Sequence, residues 1–240
     1  MGVLSLNPND PASIDIYAPY GFSPIIGTLH NAFLEVLDGD PFVNILDIDP
    51  SLGIDLKYAT YDNISSVPQY PENMKAILRR EVAIMLKEAQ AHLKSIRWTA
   101  HSLLIYDAWR PQSVQEKMYA WCKKNEKEWL FADPKKGSIH TFGCAVDLTI
   151  TNNGQPLDMG APFDDASDIA MPKNELLLFW QGRLTQSQIE NRELLRRVMG
   201  YAGFSNIDIE WWHFETPDDE DDFGRRTNIR RDLPRITSIS

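Results

Sequence analysis

The strongest constraint on the fold is an amphipathic segment at residues 72–95, in which apolar side chains recur at helical spacing. Steps of three and four positions place these side chains on one side of a helix. The apolar stripe consists of Leu78, Val82, Met85, Ala89 and Leu93. Because a helix with one apolar side must bury it against another element, we predict a core helix at 72–95. Met85 is then a core residue, and His92 at the border of the stripe is a packed or surface side chain.

Short apolar runs predict the strands. Residues 102–106 are too short and too apolar for a helix, and Pro111 stops a strand soon after them. Further strands are predicted at 145–150 and at 207–215. The segment 55–60 is predicted to be a short strand or an extended segment, and loops with short strands are expected over residues 1–50.

Two more helices complete the predicted order of elements. They lie at about 113–124 and about 185–201, and Thr185 with Gln188 resembles a capping box at the start of the second. Helices that alternate with strands predict an α+β fold, a single domain with a mostly antiparallel central sheet and flanking helices. We expect this domain to cover residues 1–240, with a core at about 45–216 and a charged C-terminal tail at 217–240.

The composition argues against several partners and locations. The formal net charge of −10 disfavours binding to nucleic acid, which selects basic surfaces. No run approaches the ~20 apolar residues that cross a bilayer, so no membrane partner is expected. The start of the chain lacks both a basic region and a long apolar run, and Cys122 and Cys144 are too few for a disulfide framework. We therefore expect a cytoplasmic protein with reduced thiols, and the sequence leaves open whether it forms a homo-oligomer.

Two of the five histidines stand in settings that suit a metal ion. His140 precedes the predicted strand that carries Asp147, with Gly143 between them to permit a sharp turn, and His213 follows Glu210 by three positions. Either spacing alone also occurs by chance. Together, two imidazoles and a carboxylate are sufficient for a catalytic Zn²⁺ and leave a position for water, although they also accept Fe, Co or Ni. No acidic or histidine neighbour at ligand spacing accompanies His30, His92 or His101.

Glu210 is the candidate catalytic base, because a carboxylate beside the metal can accept the proton of the attacking water. On a regular strand, Glu210 and His213 would point to opposite faces, since side chains alternate. Both reach one site only if the strand ends, bulges or twists strongly between them. We therefore predict an irregularity at Trp211 and Trp212, and a regular ladder there would contradict the assignment.

Arg110 stands at the end of the predicted strand 102–106, three positions after Asp107. Its guanidinium could stabilise the oxyanion that forms when a peptide carbonyl is attacked. Equally, it could form a buried structural ion pair with Asp107. The residues themselves leave both interpretations open.

Five separated motifs then follow one another in a fixed order. They are Asp55-Leu56-Lys57-Tyr58-Ala59-Thr60, Tyr106-Asp107-x-x-Arg110-Pro111, Ser138-x-His140-x-x-Gly143-x-Ala145-x-Asp147-Leu148-Thr149, Asp158-Met159-Gly160 with Phe163-Asp164, and Glu210-Trp211-Trp212-His213. Together they resemble the D-alanyl-D-alanine dipeptidases, the VanX-type zinc peptidases, which are related to the D,D-carboxypeptidases and to Hedgehog-like metal domains. The resemblance covers about residues 45–216.

The resemblance implies a role for each candidate residue and a Hedgehog/D,D-peptidase-like fold. It makes His140, Asp147 and His213 the ligands of one Zn²⁺ per chain. Glu210 is then the general base, and the transition state is stabilised by Arg110.

Two further residues are placed at the substrate pocket by the same resemblance. These are Ser138 and Asp164, and Asp164 is expected to face the amino group of the substrate.

The implied function is zinc-dependent hydrolysis of D-Ala-D-Ala or a similar D-configured dipeptide. An alternative is a D,D-carboxypeptidase or murein endopeptidase that acts on larger peptidoglycan peptides. A third alternative, of a different class, is a zinc-binding interaction domain without turnover. The sequence leaves open the preferred dipeptide and whether the role is recycling or resistance to a cell-wall antibiotic.

Overall fold

The computed structural model describes residues 42–97 and 100–216. Its strands are β1 Phe42–Asn44, β2 Gly53–Ile54, β3 Ile77–Arg79, β4 His101–Asp107, β5 Ala145–Asn152, β6 Gln155–Pro156, β7 Ser205–Asn206 and β8 His213–Glu215. Its helices are α1 Ile45–Ile48, α2 Arg80–Arg97, α3 Gln112–Lys124, α4 Glu175–Trp180 and α5 Gln186–Tyr201. One sheet of six strands has the order β2-β4-β5-β8-β7 with β6 paired to β5, and a two-stranded sheet joins β1 and β3.

The pairing pattern confirms the predicted α+β fold with a mostly antiparallel sheet. Among the described strands, β2 and β4 are parallel and every other pair is antiparallel. The centre of the sheet is β4 against β5, and all residues of β5 except Asn152 are buried. A strand buried in this way offers a rigid support for polar side chains at its end.

Helix α2 covers the sheet with the predicted apolar stripe. Val82, Met85, Ala89 and Leu93 are all buried, and the helix contacts both β4 and α5. One polar side chain joins them: Gln90 donates from Nε2 to Ser102 Oγ (2.8 Å) and accepts from the Leu103 N–H (2.9 Å). Since both halves of this buried amide are hydrogen-bonded, the helix is held against the start of β4 without a desolvation penalty.

The predicted strands at 102–106 and 145–150 correspond to β4 and β5, and the predicted helices at 113–124 and 185–201 correspond to α3 and α5. The capping box is also confirmed. The Gln188 N–H donates to Thr185 Oγ1, and the Thr185 N–H donates to Gln188 Oε1.

The predicted start of the helix at residue 72 is wrong, because the helix begins at Arg80. Residues 77–79 instead form β3, which pairs with β1, and the Ile77 carbonyl accepts a hydrogen bond from the Trp109 N–H (2.8 Å). Leu78 is therefore buried in a strand. Its spacing matched the helical stripe, but long-range pairing overrode local periodicity.

Two predicted extended segments are shorter or differently folded. Residues 55–60 contain a 3-10 turn at Lys57–Ala59, closed by a hydrogen bond from the Thr60 N–H to the Lys57 carbonyl. The strand predicted at 207–215 is limited to β8. The Trp211 N–H donates to the Ala170 carbonyl, outside the sheet, so residues 207–212 form turns before the strand begins.

The remaining predictions concern the two cysteines, His92, membrane-spanning helices and the two ends of the chain. Cys122 and Cys144 are buried and form no disulfide, and His92 is a packed side chain that stacks on the ring of Tyr201 at 3.8 Å. Within 42–97 and 100–216, no helix is both long and apolar enough to span a bilayer. The tail at 217–240 and most of the predicted N-terminal loops lie outside the described residues. The boundaries of the single domain therefore stay a prediction.

Candidate active site

The pairing of β5 with β8 brings the first two side chains of the site together. In this register Asp147 lies directly opposite His213. Side chains of directly opposed residues share one face of the sheet and lie close together. Asp147 Oδ1 is accordingly 3.0 Å from His213 Nδ1, and both side chains are buried.

His140 reaches the same point from a 3-10 turn at His140–Phe142. Its Nε2 lies 3.1 Å from His213 Nδ1 and 3.3 Å from Asp147 Oδ1, while its Nδ1 lies 2.7 Å from the Ala108 carbonyl. Gly143 ends the turn with φ of 69°, and a Cβ there would lie 2.8 Å from the Phe42 ring. The sharp turn predicted at Gly143 is therefore present, and it requires glycine.

These three side chains form a compact set of donors for a metal ion. Within the described residues, they are the one group of three or more acidic, histidine or cysteine side chains whose ligand atoms converge, all within 4.8 Å of one another. Two ring nitrogens only 3.1 Å apart cannot both carry a proton, so at least one presents a lone pair. Two imidazole nitrogens and one carboxylate oxygen are the ligand types of a catalytic zinc site.

The electrostatics of the cluster also favour a cation. Burial acts to raise the pKa of Asp147, but His140 and His213 outweigh it and hold that pKa below its usual range. Burial acts to lower the pKa of His213, but hydrogen bonds to Asp147 and Glu215 raise it to about 10. Without a metal ion, a proton therefore supplies the positive charge that this cluster requires.

Glu210 lies beside the cluster because the chain turns between it and β8. Its Oε2 is 3.9 Å from His213 Nδ1 although the two residues are three positions apart. Trp211 and Trp212 lie in turns, which is the irregularity predicted from the sequence. The Asn206 amide stabilises this region by donating hydrogen bonds to the carbonyls of Glu210 and His213. Burial raises the pKa of Glu210 to about 8, which gives the carboxylate a high affinity for a proton.

Arg110 forms the buried ion pair with Asp107 that one interpretation of the sequence predicted, and its role towards an oxyanion stays a prediction. Its Nε and Nη2 donate to Asp107 Oδ2 at 2.9 and 2.7 Å, and its Nη1 donates to Gln115 Oε1 at 3.0 Å. The Tyr70 hydroxyl donates to the other Asp107 oxygen (2.7 Å). The same guanidinium lies 3.6 Å from Asp147 Oδ2. It is thus held by a buried ion pair and also faces the cluster.

The cluster opens into a cavity of about 210 Å³. All seven candidate residues of the sequence line this cavity, namely Arg110, Ser138, His140, Asp147, Asp164, Glu210 and His213. Trp129, Ile207 and Ile209 also contribute to its lining. The lining of the cavity therefore combines polar side chains, which can take part in chemistry, with apolar and aromatic side chains.

Asp164 is fixed within this cavity by two hydrogen bonds. Its Oδ1 accepts from the Tyr58 hydroxyl (2.8 Å), and its Oδ2 accepts from the Ile64 N–H (3.0 Å). Burial raises its pKa to about 7. Its backbone has φ of 61°, in the left-handed region.

Several residues of the site were not found by sequence reasoning. Glu215 lies two positions after His213, and strand alternation could have identified it. Tyr58 belongs to the motif at residues 55–60, but nothing in the sequence indicates its hydrogen bond to Asp164. Gln115 could not have been identified, because its contact with Arg110 depends on how α3 follows β4.

Comparisons with known proteins agree with this geometry. The Peptidase_M15 family model, described as D-ala-D-ala dipeptidase, matches residues 39–228. A D-alanyl-D-alanine dipeptidase of Escherichia coli (strain K12) is 35% identical over 185 residues, which cover 75% of this chain and 86% of that protein. One of Enterococcus faecalis (strain ATCC 700802 / V583) is 26% identical over 183 residues, 69% of this chain and 86% of that protein. The resemblance predicted from the motifs is confirmed.

The buried pair of Arg110 and Asp107 yields a testable prediction. Asp107→Asn removes the charge that compensates a buried guanidinium, and we expect it to lower the free energy of unfolding by about 3 kcal/mol. Urea denaturation measures this change.

The matched control is Asp168→Asn, because Asp168 pairs with Arg183 through two hydrogen bonds at an exposed site. Exposed pairs contribute little, so the control should unfold as the parent protein does. Equal destabilisation by both substitutions would contradict this account of Arg110.

Proposed function

Because this chain belongs to the Peptidase_M15 family, a family of metallopeptidases described as D-ala-D-ala dipeptidases, we propose that it hydrolyses D-alanyl-D-alanine or a similar D-configured dipeptide. The observation that carries this proposal is the convergence of His140, Asp147 and His213 next to Glu210 in one small cavity. Named D-alanyl-D-alanine dipeptidases among its relatives support the same substrate.

We assign one Zn²⁺ to His140 Nε2, Asp147 Oδ1 and His213 Nδ1. The set carries a single negative charge and two neutral imidazoles, which suits a divalent ion that keeps a position for water. When bound, the ion acts as a Lewis acid and makes a water molecule more acidic.

Glu210 acts as the general base. Its carboxylate takes a proton from the attacking water and passes that proton to the amine that leaves when the peptide bond breaks. Its Oε2 lies 3.9 Å from His213 Nδ1, and this short distance supports the proposed role. Burial raises the affinity of this carboxylate for a proton, and a cation bound beside it would keep it ionised and able to accept the proton of the water.

Arg110 stabilises the oxyanion of the tetrahedral intermediate. Because Asp107 and Gln115 hold three of its nitrogens, the guanidinium is already oriented before the substrate binds. Such preorganised charge acts on the transition state without a cost of reorientation.

Asp164 and Ser138 bind the substrate. The Asp164 carboxylate, held by Tyr58 and Ile64, binds the ammonium group of a dipeptide as a charged hydrogen-bond acceptor.

The cavity of about 210 Å³ favours a dipeptide over the larger peptides of the D,D-carboxypeptidase and murein endopeptidase alternative. Membership of a peptidase family argues against the non-catalytic zinc-binding domain. Cytoplasmic location and oligomeric state stay predictions.

Metal content and D-alanine release test the proposal together. We expect about one zinc per chain, release of D-alanine from D-Ala-D-Ala, loss of this activity on chelation, and its return with Zn²⁺. A pentapeptide that ends in D-Ala-D-Ala should be cleaved much more slowly. Faster cleavage of the pentapeptide would favour the carboxypeptidase alternative, and zinc-loaded protein that cleaves no D-configured dipeptide would refute a dipeptidase.

Glu210→Ala tests the base. We expect the variant to keep its zinc and to lose about 10²- to 10⁴-fold in kcat, because the proton acceptor is gone. Glu193→Ala, which removes an exposed carboxylate from α5, serves as the control and should retain full activity. Near-normal turnover by Glu210→Ala would rule out this role.

Asp164→Asn tests recognition of the amino group. Loss of one charged hydrogen-bond partner should raise KM for D-Ala-D-Ala by about 10- to 100-fold. Because the pKa of Asp164 is about 7, its carboxylate is charged above that pH and protonated below it. We therefore expect KM of the parent protein to rise as the pH falls through about 7, and KM of the variant to lack this step.

Asn also tolerates the left-handed backbone at this position, and Asp165→Asn provides a neighbouring control outside the cavity. The same pH step in parent and Asp164→Asn would show that another group causes it.

A further inference from the structure

The mechanism leaves one carboxylate of the cavity without a role, that of Glu215. Glu215 and His213 are separated by two positions on β8, so their side chains share one face of the sheet. Glu215 Oε2 lies 3.1 Å from His213 Nε2. The residue opposite Glu215 on β5 is Ala145, whose small side chain leaves room for the carboxylate to reach the ring.

The two nitrogens of His213 face different partners. Nδ1 lies 3.0 Å from Asp147 Oδ1 and 3.1 Å from His140 Nε2, inside the proposed metal site. Nε2 points to Glu215 on the outer side. If Nδ1 is the ligand atom, the ring is neutral and its proton lies on Nε2, from which it is donated to Glu215.

His140 provides an internal comparison. Its Nε2 faces the site and its Nδ1 lies 2.7 Å from the carbonyl of Ala108. The oxygen at hydrogen-bond distance behind His140 is this neutral carbonyl, and Asp107 Oδ2, which accepts from Arg110, lies farther away at 3.7 Å from Nδ1. Behind His213 the oxygen at hydrogen-bond distance belongs to a carboxylate. A carboxylate acceptor forms the stronger hydrogen bond and increases the electron density of the ring more.

We propose that Glu215 is a positioning residue, which fixes the ring orientation and tautomer of His213 and raises its affinity for the metal ion. The proposal rests on the assignment of His213 as a ligand. Groups that hold a ligating histidine in this way typically change metal affinity by about 10- to 100-fold. Glu215 acts through His213 and does not contact the reacting atoms, whereas Glu210 and Arg110 act on those atoms directly in the proposed function.

The test is zinc affinity of the full chain, measured by competition with a chromophoric chelator in the absence of substrate. Glu215→Ala should bind Zn²⁺ about 10- to 100-fold more weakly than the parent protein. Glu215→Gln keeps an acceptor oxygen without the charge and should recover part of the loss. Glu193→Ala, with its exposed carboxylate on α5, should bind as the parent does.

Two further measurements separate positioning from other roles. Zn²⁺ should raise the unfolding temperature above that of the metal-free protein by less in Glu215→Ala than in the parent, because the variant binds the ion more weakly. The absorption bands of bound Co²⁺ should shift in the variant because the donor strength of His213 changes. Parent-like zinc affinity with a raised KM would overturn the proposal and assign Glu215 to the substrate. A destabilised metal-free variant with an unchanged Co²⁺ spectrum would also overturn it, in favour of a structural role.

These outcomes are distinct from those of the proposed function. Weakened zinc binding by Glu215→Ala supports the positioning role even if the parent protein cleaves no dipeptide. Conversely, dipeptide hydrolysis by the parent together with unaltered zinc affinity in Glu215→Ala would leave the function intact and refute the role of Glu215.

Discussion

The antiparallel pairing of β5 with β8 is the constraint on which the site depends. It sets Asp147 directly opposite His213, and a shift by one residue would turn one of them to the other face of the sheet. The β5 strand that carries Asp147 is buried and also pairs with β4, so the register is fixed from both sides. His140 then needs only a short turn that ends at Gly143 to complete the cluster.

A surplus of buried negative charge follows from this arrangement. Asp147, Asp164, Glu210 and Glu215 all line one cavity, and the charge of Arg110 is largely balanced by Asp107 behind it. Gathering carboxylates away from water is unfavourable unless cations compensate them. In the metal-free protein, protons meet part of this need, as the raised pKa values of Glu210 and Asp164 indicate. A divalent ion and the ammonium group of a substrate would replace those protons, which links metal binding and substrate choice to the same electrostatic requirement.

The sequence predicted the parts of this molecule whose signals are local. Strands β4 and β5 and helix α5 carry their own apolar patterns and end signals. The spacings around His140 and His213 indicated a metal site, and five separated motifs in a fixed order made the resemblance specific. Prediction from the sequence failed where the local structure depends on contacts with residues far away in the chain. Residues 77–79 match the helical stripe, yet they pair with β1, and the contacts of Gln115 and Tyr58 exist only once distant segments pack together.

A crystal structure of zinc-loaded protein, with diffraction data on both sides of the zinc absorption edge, tests the central claim most directly. The account predicts one anomalous peak per chain within bonding distance of His140 Nε2, Asp147 Oδ1 and His213 Nδ1, next to the carboxylate of Glu210. A peak held by other side chains, or none at this cluster in protein that contains stoichiometric zinc, would contradict it.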